Sequence, residues 1–329
     1  MGRVGTSVRE KLHHVRTSEY RALAAHGASE RASITLVLIA GAILLFCVPS
    51  FPQDTSSDGG SSAGELLRRA VDTELKAQAE DHSHWMYQLK THASGNEQVK
   101  LVVETHDCDL DRLQSVNGHP ITAEQEKSED QRIASFLRKS DERKKRRHAQ
   151  EEDDKQTEHL FKTLPEAVIA TYGEHKGDLV EILFQPNPDF HPSSHEDAVF
   201  HEMAGKIWID QKENRLAGIE GHLIKEVRFA GGFLGHLDQG GEFHVRQSEV
   251  APGHWEITLL HVNMHGKALF FKTITVQENE DRANFQRVAD NLTLAEAAQE
   301  LQRHSTSTTN SAAVETHPLP TGSQNASRN

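Results

Sequence analysis

Cysteine is almost absent from this sequence, with only Cys47 and Cys108 among 329 residues. Cys47 falls in an apolar run and Cys108 in a polar stretch, so we expect them in different environments and do not expect a disulfide between them. A disulfide-stapled scaffold is therefore excluded. The chain must instead fold around a hydrophobic core, for which its 36% hydrophobic residues are sufficient.

Sequence signatures of catalysis and cofactor binding are also missing. We find no nucleophilic serine motif at a predicted strand-to-helix elbow, no glycine-rich phosphate loop ahead of a helix and no H-E-x-x-H. The sequence therefore predicts a protein that is not an enzyme and has no cofactor. His82 and His84 lie on one face of a predicted strand and are weak candidates for metal ligands. Without an identifiable orienting carboxylate, we predict no metal site there.

Positive charge is in deficit, since the formal net charge is −13. Nucleic-acid binding requires a cationic surface, so we predict no nucleic-acid partner. Histidine is abundant, and full protonation of its 22 imidazoles would move the formal charge from −13 to +9. We interpret these histidines chiefly as polar residues of exposed strand faces, with a pH sensor as the alternative.

Long apolar runs are limited to one, Ile34 to Val48, which follows a basic leader at residues 1–33. We predict that residues 34–50 form a signal peptide or a single transmembrane anchor, with the leader in the cytoplasm. The run is short for a spanning helix, and no A-x-A cleavage site follows it. Cleavage and retention therefore both stay open. In either case the protein is exported to the periplasm, or anchored in the inner membrane with its C-terminal domain outside the cytoplasm.

A polar linker at 51–62 precedes the predicted folded domain, residues 63–303. A capping box at Ser62 and Glu65 predicts one amphipathic helix. Short alternating runs separated by turn residues follow, and these predict antiparallel strands. The runs at Trp255–Met264 and Ala268–Val276 have apolar residues on both faces. We therefore predict an α+β fold with a curved antiparallel sheet, on which helices pack.

A charged insertion at residues 122–162 interrupts this domain. It opens with a capping box at Thr122 and Gln125, and its basic block Arg143–Arg147 is followed by an acidic one at Glu151–Asp154. We predict a solvated helix or helical hairpin. A last helix is predicted at Thr293–Gln302, because a capping box at Thr293 and Glu296 opens it. A disordered tail is predicted at 304–329.

Apolar and glycine residues alternate in the stretch FAGGFLGHLDQGGEF. Its apolar members, Phe229, Phe233, Leu234 and Leu237, predict either a mobile loop over the sheet or a hairpin tip that packs on its own core.

The stretch around GKIWID, Gly205 to Asp210, together with HWEITLLHVNMHGKALFFKTITV resembles exported proteins of the outer-membrane lipoprotein-sorting (LolA-like) superfamily, including acidobacterial-type envelope proteins. The resemblance implies an incomplete β-barrel whose concave apolar face holds an acyl chain or a hydrophobic peptide. Trp208, Trp255, Phe270 and Phe271 are then candidates for cavity or core residues.

The sequence thus predicts a non-enzymatic, periplasmic or membrane-anchored, chaperone-like binding protein. Its expected partners are lipid acyl chains or a lipidated peptide, and the inner membrane through residues 34–50. The alternative is an envelope interaction or sensor protein that contacts its partner through the charged helical insertion at residues 122–162, here called the arm. The oligomeric state cannot be predicted from the sequence.

Overall fold

The computed structural model describes residues 62–314, except 94, 233 and 269–271, and describes no side chains for 93, 230, 268, 272, 274 and 305–314. The predicted leader, apolar segment and linker lie outside the described residues, apart from Ser62. Among the described helices, none is long and apolar enough to cross a membrane.

The described residues form five α-helices and thirteen strands. In chain order these are α1 (Ala63–Glu80), β1 (His84–Ala93), β2 (Asn96–Val103), β3 (Leu110–Val116), β4 (His119–Pro120), α2 (Ala123–Arg138), α3 (Ser140–Ala167), β5 (Val168–Lys176), β6 (Leu179–Pro186), α4 (His195–Phe200), β7 (Met203–Asp210), β8 (Arg215–Leu223), β9 (Val227–Phe229), β10 (Gly235–Leu237), β11 (Glu242–Ala251), β12 (His254–Ala268), β13 (Lys272–Val288) and α5 (Leu294–Val314).

The strands form one large antiparallel sheet in the order β4-β3-β2-β1-β13-β12-β11-β8-β7-β6-β5, with β10 paired to β12 and to β9. Most neighbours in the sheet are also neighbours in sequence, as short turns require. The exceptions among the described strands are β1 with β13, β8 with β11 and β10 with β12. The sheet is not closed, and the predicted α+β class with an antiparallel sheet is confirmed.

The described residues divide into two compact units. Within the described part, the first unit comprises residues 62–79, 151–249 and 255–279. The second comprises residues 80–150, 250–254 and 280–314.

The core of the first unit lies between α1 and the inner faces of its strands. Leu67 and Ala70 of α1 are fully buried, as are Ile182 of β6 and Ile207 of β7. Alternate residues of β6 and β7 point to this core, so the residues between them define an outer face. Leu164 of α3 completes the cluster.

The second unit has its own core, in which α2 and α5 pack on β2 and β3. Val103, Leu110, Ile133 and Leu301 are buried there. A smaller cluster on β1 and β2 contains the buried residues Trp85, Tyr87, Leu89 and Val102. Each helix covers apolar strand residues that would otherwise be exposed to water.

All three predicted capping boxes are present at helix N-termini. Ser62 Oγ accepts from Glu65 N at 3.2 Å, Thr122 Oγ1 accepts from Gln125 N at 3.3 Å, and Thr293 Oγ1 accepts from Glu296 N at 3.3 Å. Helix C-termini were less predictable. Helix α5 continues to Val314 instead of ending at Gln302, since no proline or glycine interrupts residues 303–314. The rest of the predicted tail lies outside the described residues.

Strand β5 ends the sheet order in the described residues. Its pairing with β6 shifts register between Tyr172 and His175, which marks a bulge. Ile169 and Tyr172 are 40% and 44% exposed. The strand ends in an ion pair of 3.0 Å between Lys176 Nζ and Glu174 Oε2.

Candidate functional site

An open groove of about 680 Å³ crosses the sheet of the first unit. It spans strands β6, β7, β8, β11, β12 and β13, whose residues in the lining are far apart in sequence. Among the residues that line it are Leu183, Lys206, Glu220, His222, His244 and His261. Its volume is typical of sites for small molecules or short peptide segments.

The register of the strands places this groove on the outer face of the sheet. Leu183 pairs with Lys206, Lys206 with Glu220 and Glu220 with His244, so their side chains form one row. Phe243, next to His244, lines the groove as well and also packs against the buried core.

Two glycines lie side by side in the lining of the groove. Gly205 and Gly221 pair with each other, and both line the groove. A Cβ at Gly205 would overlap the carbonyl oxygen of Glu220, and one at Gly221 would lie 2.5 Å from Cε1 of Phe243. Only glycine permits so close an approach of β7 and β8.

Charge in the groove is mixed and locally compensated. Lys206 Nζ lies 3.5 Å from Glu220 Oε2 and 3.9 Å from Glu181 Oε1. The second oxygen of Glu220 lies 3.4 Å from His244 Nε2. The rings of His244 and His261 meet edge to face, with their centroids 6.5 Å apart. The row can therefore offer both donors and acceptors to a ligand.

Amide side chains occupy the end of the groove formed by β12 and β13. Gln277 Nε2 donates to Asn263 Oδ1 at 3.4 Å, and Asn279 lines the groove beside them. Leu183 is its most exposed apolar side chain, at 44%. The groove thus combines many hydrogen-bonding groups with one small apolar patch.

Two of the four aromatic residues predicted to line a cavity or a core, Trp208 and Trp255, lie in the described part of the chain. Trp208 is half-buried on β7, where Lys176 Nζ and Lys206 Nζ lie 4.8 Å and 5.8 Å from its ring centroid. Trp255 is half-buried on β12, and the guanidinium of Arg215 lies 5.6 Å from its ring. Phe270 and Phe271 lie outside the described residues.

The predicted mobile loop is a hairpin packed on the first core. Phe229 and Leu237 are buried, on β9 and β10. Leu234 is partly buried against the same core, and Phe233 lies outside the described residues. This corresponds to the second of the two interpretations that the sequence allowed.

The predicted metal candidates His82 and His84 do not join a cluster of ligand groups. His82 is exposed and His84 half-buried at the start of β1. The cluster of described residues that could hold a metal is formed instead by Glu226, His236 and Asp238. Sequence analysis missed it, because the three residues have no recognised metal-binding spacing.

Asp81, Ser83 and His254 of the second unit combine the residue types of a serine-hydrolase triad. His254 Nδ1 lies 2.9 Å from Asp81 Oδ2 and 3.4 Å from Ser83 Oγ, while Arg287 Nη1 lies 3.5 Å from His254 Nε2. A triad requires the serine and the carboxylate on opposite ring nitrogens. Here both use Nδ1, so the imidazole cannot relay a proton between them.

Residues 60–64 read Gly-Ser-Ser-Ala-Gly, which matches the spacing of a nucleophilic serine motif. Ser62 nevertheless serves as the N-cap of α1, where its Oγ accepts from Glu65 N at 3.2 Å. Its backbone amide donates back to Glu65 Oε2 at 3.0 Å. This reciprocal bonding accounts for the serine as a helix-capping residue.

The basic block of the insertion contacts its own chain. Arg146 Nη1 donates to the carbonyl oxygen of Asp109 at 2.9 Å, and its guanidinium lies 4.6 Å from the ring of Phe136. Arg147 Nη1 lies 3.7 Å from Asp107 Oδ1. Part of the positive charge that the arm could use to bind a partner is therefore paired with groups of the second unit.

A smaller cavity of about 320 Å³ lies in the second unit. Its amides bond to one another: Asn284 Nδ2 donates to Gln88 Oε1 at 2.7 Å, and Gln88 Nε2 donates to Gln114 Oε1 at 3.4 Å. This cavity has about half the volume of the larger groove, which is therefore the stronger candidate for a binding site.

Comparisons with known proteins give no relative. No family model matches the chain, and neither the curated proteins nor the solved structures contain a match.

Proposed function

We propose that the protein is a non-enzymatic binding protein of the cell envelope, which holds its ligand in the outer-face groove. Export or anchoring through residues 34–50 places the folded part outside the cytoplasm. The basic leader and the apolar run support this location, and the open antiparallel sheet agrees with the LolA-like resemblance.

The observation that carries the proposal is the row Leu183, Lys206, Glu220 and His244 across four paired strands. Such a row presents an ammonium, a carboxylate and an imidazole in a fixed order beside an apolar patch. Rigid strands hold these groups in place, so binding would cost little ordering of the protein.

The ligand that best fits this lining is a lipidated peptide, held by its peptide part. Peptide groups supply the donors and acceptors that the polar row requires, whereas an acyl chain would meet mainly polar groups. The apolar cavity for an acyl chain stays a prediction of the sequence. Leu183 would contact an apolar side chain of the peptide.

Three fluorescent probes test this choice with the full-length chain: a lipidated peptide, the same peptide without acyl chains, and a fatty acid. We expect both peptides to bind and to compete with each other, and the fatty acid to bind much more weakly. Binding of the fatty acid alone, or of no probe, would contradict the proposal.

Leu183→Arg removes the apolar patch and adds a second cation beside Lys206. Peptide affinity should fall about tenfold or more, as it does for a central contact residue. Ile169→Arg is the matched control, since Ile169 is 40% exposed compared with 44% for Leu183 and does not line the groove. An equal loss of peptide affinity in the two variants would argue against the groove as the peptide-binding site.

The alternative function, an interaction through the charged arm, rests on the exposed Lys144 and Lys145. Deletion of residues 140–156 would leave peptide binding unchanged if the groove is the site. If this variant stayed folded but lost peptide binding, the result would favour the arm as the binding site.

A further inference from the structure

Glu226, His236 and Asp238 converge at the hairpin of β9 and β10, away from the groove. One ligand atom from each lies within 4.8 Å of the other two. His236 Nε2 is 3.2 Å from Asp238 Oδ1 and 3.9 Å from Glu226 Oε2. We propose that these three side chains bind a divalent transition-metal ion, with Zn²⁺ as the best fit.

The distances agree with a tetrahedral site. Zn²⁺ binds nitrogen and oxygen ligands at about 2.0–2.2 Å, so the ligand atoms lie about 3.3–3.6 Å apart along a tetrahedral edge. The separations of His236 Nε2 from Asp238 Oδ1, 3.2 Å, and from Glu226 Oε2, 3.9 Å, lie on either side of this range. Rotation of the exposed Asp238 and Glu226 side chains would bring all three atoms onto one ion.

Strand pairing fixes the imidazole between its partners. His236 is the central residue of β10 and lies opposite Arg228 of β9 and Lys267 of β12. The amide of Asp238 donates to the carbonyl oxygen of His265 at 2.8 Å. Two ligands are thus held by backbone bonds on either side of Leu237, which is buried in the core.

Arg228 acts as an outer partner of the site. It donates through Nε to Glu226 Oε1, which leaves Oε2 toward His236 and orients the carboxylate. The guanidinium holds the pKa of Glu226 below its ordinary value.

The balance of charge indicates which class of metal fits. Arg228 and Lys267 offset the two carboxylates, so electrostatic attraction alone gives little affinity for a cation. Mg²⁺ and Ca²⁺ rely on charge and on six or more oxygen ligands. Zn²⁺, Co²⁺ and Ni²⁺ gain from the imidazole nitrogen, so the site should prefer them.

Titration of the full-length chain with Co²⁺, followed by its visible absorption, tests the site. The wild type should bind one more equivalent of Co²⁺ than His236→Gln, and Zn²⁺ should displace that equivalent while Mg²⁺ and Ca²⁺ do not. Asp238→Asn should weaken Zn²⁺ binding about tenfold or more. Lys267→Gln should strengthen it, because it removes a nearby positive charge.

His175→Gln, at an exposed histidine outside the cluster, controls for the many other imidazoles and should titrate like the wild type. Zn²⁺ should also raise the Tm of the wild type more than that of His236→Gln. Identical titrations of the wild type and His236→Gln would overturn the proposal, as would equal competition by Mg²⁺. Peptide binding in the groove would be unaffected by either result.

Discussion

Arg215 and Glu74 form a buried, two-bonded ion pair between β8 and α1. Arg215 Nε donates to Glu74 Oε1 at 2.8 Å, and Nη2 donates to Oε2 at 2.9 Å. Glu74 also accepts from Leu216 N and Gln247 Nε2, each at 2.8 Å. The pair thus joins a helix to two strands of the first unit.

Glu74→Ala leaves the guanidinium of Arg215 buried without its counter-charge. We expect the free energy of unfolding to fall by about 3–5 kcal/mol, measured by urea denaturation. The double variant Glu74→Met with Arg215→Met should recover much of this loss, because it removes both buried charges. A loss in the single variant below 1 kcal/mol, roughly that of a surface ion pair, would contradict the burial of the pair.

The pH dependence of stability should report on Asp81. Burial acts to raise its pKa, but hydrogen bonds from Ser83 and His254 outweigh it and lower the pKa from 3.8 to about 2. A carboxyl group with a lowered pKa stabilises the fold above its unfolded value, and this contribution is lost as the pH falls through the folded value. Asp81 should therefore add stability above pH 3.8 and lose it between about pH 4 and 2.

Asp81→Asn should lower stability near pH 6 and flatten the decline between about pH 4 and 2. Chemical denaturation at a series of pH values measures both effects. Asp72→Asn, at an exposed aspartate of α1, supplies the control and should keep the wild-type slope. If the two variants gave the same slope, Asp81 would not be the group responsible.

Gly205→Ala tests the close approach of β7 and β8 beneath the groove. The added Cβ would overlap the carbonyl oxygen of Glu220, so the strands must separate. We expect a loss of about 1–3 kcal/mol in unfolding free energy, together with weaker peptide binding. Gly64→Ala in the first turn of α1 is the control, since its Cβ would meet nothing nearer than 4.0 Å. This change should be neutral or slightly stabilising.

Arg146→Ala tests whether the basic block is held by its own unit. The variant loses the contact of the guanidinium with the Phe136 ring and the bond to Asp109, at a cost of about 1 kcal/mol. Lys145→Ala changes an exposed neighbour and should shift stability by less than about 0.5 kcal/mol. Thermal denaturation compares the two. Equal, small effects would mean that Arg146 is solvated like Lys145.

Elements with regular apolar alternation and clear turns were predictable from the sequence. Strands β11 and β12 begin just after the turn residues Gly240-Gly241 and Pro252-Gly253, which separate runs of alternating apolar residues. The three capping boxes located the starts of α1, α2 and α5. In these places the local sequence and the tertiary packing require the same structure.

Other strands were missed because packing replaced the expected apolar residues with polar ones. In β3, Arg112 is 4% exposed and bonds to Asp130 at 2.6 Å. In the extension of β13, Glu280 is 6% exposed and accepts from Arg282 at 2.7 Å. Hydropathy patterns do not reveal burial that depends on a partner distant in sequence.

The groove could not be predicted for a related reason. Leu183, Lys206, Glu220 and His244 each read as an ordinary surface residue of a separate strand. Only the strand register brings them into one row. The predicted aromatic candidates followed hydrophobicity, which identifies cores better than polar surfaces.

The bulge between Tyr172 and His175 has a consequence for how this protein behaves at high concentration. A long, flat outer strand with exposed Ile169 and Tyr172 would be a template for strands of other molecules. The interruption leaves only a short regular segment, and the ionic pair of Glu174 and Lys176 follows at once. Copies of the protein at high concentration should therefore stay apart rather than assemble into fibres.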